Sequence, residues 1–226
     1  VLRPATQDLA ALTAAGAIAP QAAALLSDII TARLAFLVSG GTGAGKTTLL
    51  AALLGAVSEG ERVVCVEDAP ELQPRHPHLV RLVARAANVE GAGEVSLREL
   101  VRQALRMRPD RLVVGEVRGA EVVDLLAALN TGHDANNSAE VPARLEALAA
   151  LGGLDRAGLH SQLAAAVQVL MHVARDRDGI RRLTDISMLR RAAAGNVQAA
   201  PVWQIGRGLT DHAAVFRALL RDRMPA

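Results

Sequence analysis

Tyrosine is absent, and the aromatic side chains amount to Phe36, Phe216 and Trp203 in 226 residues. Proteins that grip single-stranded nucleic acid stack its bases on aromatic platforms, so this chain is poorly supplied for that task. The charge balance points the same way, because 25 basic and 23 acidic residues leave a net charge of only +2. No direct nucleic-acid partner is expected. Cys65 is the single cysteine, which rules out an intrachain disulfide and suits a reducing compartment. No run reaches the roughly 18 apolar residues of a transmembrane helix, and no charged-then-apolar leader opens the chain. A soluble, cytoplasmic protein is the expectation. The chain opens at Val1 without a methionine, so a preceding domain is expected.

Lysine is the other scarcity: of 25 basic residues only Lys46 is a lysine, and the rest are arginines. Lys46 falls in Gly40-Gly41-Thr42-Gly43-Ala44-Gly45-Lys46-Thr47, a Gly-x-x-x-x-Gly-Lys-Thr loop. Glycines let successive backbone N–H groups curl around phosphate oxygens, and a helix starting there adds its partial positive charge. Lys46 is expected to reach the β and γ phosphates, Thr47 to offer its hydroxyl to Mg²⁺, and Thr48 to help hold the loop. The apolar run Leu34-Ala35-Phe36-Leu37-Val38 precedes the loop and a helical pattern over 47–57 follows it. This is a strand–loop–helix unit for ATP and Mg²⁺.

The rest of the chain repeats the alternation. Val63-Val64-Cys65-Val66 reads as a buried strand closing on Glu67, Asp68 and Glu71, and 79–83 as another. Ser96-Leu97-Arg98-Glu99 has the capping-box form ahead of helical spacing up to Arg108-Pro109. Leu112-Val113-Val114 is a further strand ending at Gly115-Glu116. Strands alternating with helices predict a three-layer α/β fold, its mostly parallel sheet covered on both faces. Residues 1–34 read as an N-terminal helical segment linked to the preceding domain, 35–138 as the ATPase core, and 139–226 as a helical and β-hairpin extension. Its hairpin turns at Asp176-Arg177-Asp178-Gly179.

Hydrolysis needs one carboxylate to orient or deprotonate water and another to manage the metal. Glu116, ending a strand, has the layout of a Walker B acid and is the candidate for both catalysis and metal. Glu67, Asp68 and Glu71 are the other candidates.

Four ordered segments together resemble the secretion and pilus motor ATPases. They are the phosphate loop, Val66-Glu67-Asp68-Ala69-Pro70-Glu71-Leu72 (similar to that family's Asp box), the segment from Leu105 through Gly115-Glu116-Val117-Arg118-Gly119 (similar to its Walker B), and Asn130-Thr131-Gly132-His133 (similar to the start of its His box). The stretch from Val80 to Gly91 most resembles the tight-adherence pilus branch. The resemblance implies a RecA-like P-loop NTPase core and a Mg²⁺-dependent ATPase. It also implies a homo-hexamer in the full-length protein, working with inner-membrane secretion or pilus platform proteins at the cytoplasmic face of the membrane. It further implies Glu71 as the Asp-box catalytic carboxylate, with Glu67 and Asp68 in support. His133 is implied as a sensor of the γ phosphate, and Arg81, Arg85, Arg108 and Arg118 as phosphate or subunit contacts.

One departure stands out. Where the family continues through a glycine-containing loop to a second histidine and Ala-Asn-Ser, Ala135-Asn136-Asn137-Ser138 here follows His133-Asp134 directly. The expectation is a mobile loop lying outside the sequence rather than a chain that lacks it. Two alternatives to a motor for pilus assembly or secretion follow: a nucleotide-binding structural subunit with little hydrolysis, and a DNA-translocating conjugation ATPase.

Overall fold

The computed structural model describes residues 8–89, 92–115, 132–133, 138–151, 153–193 and 195–224. In chain order the helices are α1 (Leu9–Ala14), α2 (Pro20–Thr31), α3 (Lys46–Gly55), α4 (Leu97–Arg106), α5 (Val141–Leu151), α6 (Arg156–Ala166) and α7 (Ala213–Arg223). The strands are β1 (Phe36–Ser39), β2 (Val63–Glu67), β3 (Leu79–Val83), β4 (Arg111–Val114), β5 (Gly132–His133), β6 (Val169–Arg175), β7 (Arg181–Arg191), β8 (Val197–Gln204) and β9 (Gly208–Leu209).

Local chemistry sets the helix ends. Pro20 opens α2, where its missing N–H has no intrahelical partner to lose. At α4 the capping box forms as the sequence predicts: Ser96 Oγ accepts from Glu99 N at 3.3 Å, and Glu99 Oε2 accepts from Ser96 N at 3.0 Å. Both bonds satisfy N–H groups that the helix itself leaves unpaired, an arrangement that contributes about 1 kcal/mol.

Two ladders form the middle layer. One runs β5-β1-β6-β7-β8-β9, with β5, β1 and β6 parallel and the rest antiparallel; the other is the parallel trio β3-β2-β4. Alternate residues of both ladders feed the same two cores. Phe36 and Val38 of β1 join Val63, Cys65 and Val113 under α1, α2, α3 and α7, while Leu37 joins Val64, Val66 and Val114 under α4, α5 and α6. Strands buried on both faces read as continuous apolar runs, which is why Val63-Val64-Cys65-Val66 shows no polar alternation. The result is the three-layer α/β fold expected. β3 differs from β2 in having a free edge among the described residues, and it alternates between half-buried and exposed positions.

Residues 139–226, expected as an appended extension, share these cores. β6 pairs in parallel with β1 from Phe36↔Val169 to Ser39↔His172, and the hairpin of β6 and β7 forms as predicted beside it. A buried imidazole ties α5, α6 and β8 together: Val197 N donates to His160 Nδ1 at 2.9 Å, which leaves Nε2 to donate to Glu146 Oε1 at 2.8 Å.

Candidate nucleotide-binding site

The phosphate loop leaves β1 at Gly40, whose φ is +148°. A Cβ there would meet Val173 O at 2.1 Å and Val173 Cγ2 at 2.9 Å, so only glycine lets β1 turn out of the sheet against β6. Gly43 and Gly45 also have positive φ, at +73° and +105°. Gly45 is the N-cap of α3, and with no side chain to bond there, no side-chain cap closes that end of the helix. The first-turn amides therefore face the loop's concave side with the helix dipole behind them, a donor set matched to anionic oxygen. Ala44 is buried beneath the loop. Lys46 arches back over it, Nζ donating to Gly40 O at 2.7 Å and to Gly41 O at 3.3 Å.

The acidic segment after β2 converges on the same helix. Thr47 Oγ1 lies 3.5 Å from Glu71 Oε2, bringing together the hydroxyl and the carboxylate that a hard, oxygen-seeking cation takes. Glu71 is exposed and so is Asp68. Glu67 is not: it is 2% exposed, its Oε1 accepts from Glu71 N at 3.0 Å and Leu72 N at 2.8 Å, and its Oε2 has no hydrogen-bond partner among the described residues. Burial pushes the Glu67 carboxyl above the ordinary glutamate range, against the opposing pull of those two backbone donors. Glu67 thus holds the segment that presents Glu71, and it supports the site from beneath rather than facing it. Burial likewise pushes the Cys65 thiol up to about 12.

The arginines named from sequence separate. Arg81 Nη1 donates to Leu72 O at 3.2 Å and so braces the acidic segment. Arg85 Nε donates to Gly93 O at 2.8 Å, and its backbone bridges Val95, which commits it to the loop after β3. Arg108, at φ +51°, precedes β4, whereas the acidic segment and Gly115 lie at the other ends of β2 and β4; Arg108 is not brought to the phosphate loop. Glu116 and Arg118 lie outside the described residues, and of His133 only the backbone is described, paired in register with Ser39.

A buried polar cluster that the sequence reading missed lies beside the loop's root. His172 Nδ1 is 2.9 Å from Ser39 Oγ, and Ser39 Oγ also donates to Met171 O at 3.2 Å. The neighbouring Asp185, opposite His172 across β6 and β7, accepts from Ser138 Oγ and, at 2.6 Å, from Ser187 Oγ. The signal was present in the sequence as polar residues interrupting otherwise apolar strands.

A family model described as type II/IV secretion system protein matches residues 1–201. The chain belongs to that family. A Mycobacterium tuberculosis protein named for conjugal transfer is 75% identical over 233 aligned positions, which take in 100% of this chain and 66% of that protein. The VirB11 ATPase from the Brucella suis type IV secretion system, solved in complex with sulphate, matches at 27% identity with a TM-score of 0.64, over 83% of this chain and 56% of its own. The Legionella pneumophila ATPase DotB matches at 21% identity with a TM-score of 0.57, over 86% and 54% respectively, a likeness of fold alone. The three-layer core is thus of the RecA-like type found in secretion ATPases. The chain spans 66% of the length of the conjugal-transfer relatives it matches. Because 233 aligned positions exceed 226 residues, at least seven positions of that relative have no counterpart here. Residues 134–137, where the expected loop would join, lie outside the described residues.

Proposed function

We propose that this chain is the nucleotide-hydrolysing part of a Mg²⁺-dependent motor ATPase that drives pilus assembly or protein secretion. The observation that carries the reading is the cradle itself: a loop with three positive-φ glycines, an uncapped helix start, Lys46 folded over it and Glu71 against Thr47. In the bound state Lys46 releases Gly40 O and Gly41 O for the β and γ phosphates, and the α3 amides take the remaining oxygens. Thr47, with Glu116 from the sequence reading, would hold Mg²⁺, which when bound offsets charge on the transferring phosphoryl group. Glu71 orients the attacking water, with Glu67 fixing its backbone and Asp68 beside it. His133 and Arg118 complete the γ-phosphate side.

The intact protein is a homo-hexamer at the cytoplasmic face of the inner membrane, where it works on secretion or pilus platform proteins. Family membership supports this. Calorimetry of MgATP binding together with phosphate release tests the reading. Lys46→Ala should abolish both, and unchanged binding in that variant would refute it.

The relative named for conjugal transfer supports a second form of the same motor, serving conjugation. Salt-sensitive DNA binding by the intact protein would favour it. The short His box supports a nucleotide-gated subunit instead, which binds MgATP tightly and turns over slowly; normal turnover by the wild type excludes that form.

A further inference from the structure

The hairpin of β6 and β7 leans on the phosphate loop at two points. Val173 closes against Gly40, and the stem of Arg181 runs beside Gly45, where an added Cβ would stand 3.4 Å from Arg181 Cδ and 3.6 Å from Arg181 Cβ. Arg181 is therefore laid along the residue that caps α3, next to the amides that face the nucleotide. It is exposed, and neither its side chain nor that of Arg175 makes a hydrogen bond or ion pair among the described residues. Its neighbour Arg182 contrasts with it, paired to Asp176 at the hairpin turn.

The register adds an independent observation. Arg175 and Arg181 are direct cross-strand partners. Directly opposed residues of antiparallel strands share a face with their Cβ atoms ~5 Å apart, and like charges in that position repel. The pair lies two residues beyond Val173↔Leu183, whose side chains belong to the core beneath α3. Alternation puts the two guanidinium stems on that same face, where the sheet runs out past the helix start. Two unpaired cations facing one another at the mouth of an anion cradle are a repulsive arrangement that a polyphosphate would relieve.

We propose that Arg181, backed by Arg175, is a second cationic arm of the nucleotide site, donating to phosphate oxygens from beside Gly45. The arm is supplied in cis by the chain's own hairpin and acts alongside Lys46. A planar fork of donors on a stem that already runs beside Gly45 reaches bridging distance with little ordering. The proposal rests on the phosphate-loop reading given above.

The test is calorimetry on the full chain with two probes, MgATP and magnesium tripolyphosphate, for the wild type, Arg181→Ala, Arg181→Lys and Arg175→Ala. Arg181→Ala should weaken both probes about tenfold and reduce the salt dependence of binding, with Arg181→Lys recovering part of the loss and Arg175→Ala losing about threefold. Melting without nucleotide separates this from a structural role. The apo Tm of Arg175→Ala and Arg181→Ala should be unchanged or raised, because a like-charge contact is removed. Wild-type affinity in Arg181→Ala would overturn the proposal, as would a loss confined to MgATP, which would mean a contact to the nucleoside. A wild type that binds neither probe would instead refute the phosphate-loop reading itself.

Discussion

Gly40→Ala puts one methyl group where the structure has a backbone carbonyl. The added Cβ would stand 2.1 Å from Val173 O, far inside van der Waals contact, and the residue would keep a φ of +148° that L side chains resist. The backbone strain alone costs about 1–3 kcal/mol. Relief of the clash has to separate β1 from β6 near Ser39↔His172, and losing one or two ladder hydrogen bonds adds about 1 kcal/mol each. The sum is ~2–5 kcal/mol, which in a domain of this size lowers Tm by roughly 4–20 °C. Gly60→Ala is the control, since nothing lies within 4 Å of a Cβ there and its φ is not in the positive region, so a change within about 0.5 kcal/mol is expected. Thermal melts of both variants beside the wild type decide the matter. If Gly40→Ala melted within about 2 °C of Gly60→Ala, the close approach of β6 to the phosphate loop would be wrong.

Other consequences can be measured. Glu67→Gln should stabilise the fold at neutral pH. A folded-state pKa raised by burial favours the protonated acid, so the wild type is stabilised below the unfolded value of about 4.5 and loses that stability as pH rises. The gain from the substitution should accordingly shrink when urea melts are repeated near pH 4; a gain that grows on acidification would contradict the assignment. Arg111→Ala should cost about 2–4 kcal/mol. The largely buried guanidinium bonds Glu61 Oε2 at 2.7 Å and Ile30 O at 2.7 Å, so its loss leaves Glu61 half-orphaned, and a denaturant midpoint equal to wild type would refute that role. Cys65, fully buried with its thiol pushed up to about 12, should resist thiol reagents in the native protein and react at once in denaturant; rapid native labelling would contradict the placement of β2.

The features legible in the sequence are those written in consecutive residues. The phosphate loop, the Ser96–Glu99 cap and the apolar runs of β1, β2 and β4 each carry their physics within ten residues, and the structure places them as read. Sheet order is not local. That β6 lies against β1, and that Val173 and Arg181 therefore lean on the loop, depends on a crossover spanning most of the chain. The family resemblance singled out Arg81, Arg85, Arg108 and Arg118 as phosphate or subunit contacts. Proximity in sequence does not say which end of a strand a residue occupies, and Arg108 falls at the far end of β4. Burial was equally illegible for Glu67, which reads like Asp68 and Glu71 in a row of acids but lies beneath them.

Phe36 of the loop-bearing strand pairs with Val169, so the strand that steadies the phosphate loop is made long after the loop itself. During synthesis the Gly40–Thr47 segment emerges early and waits for more than half of the chain before its flanking strand exists. Contacts of such long sequence separation close slowly. Nascent chains halted before residue 169 should therefore hold no nucleotide, so that nucleotide capture would report the completed pairing of β1 with β6.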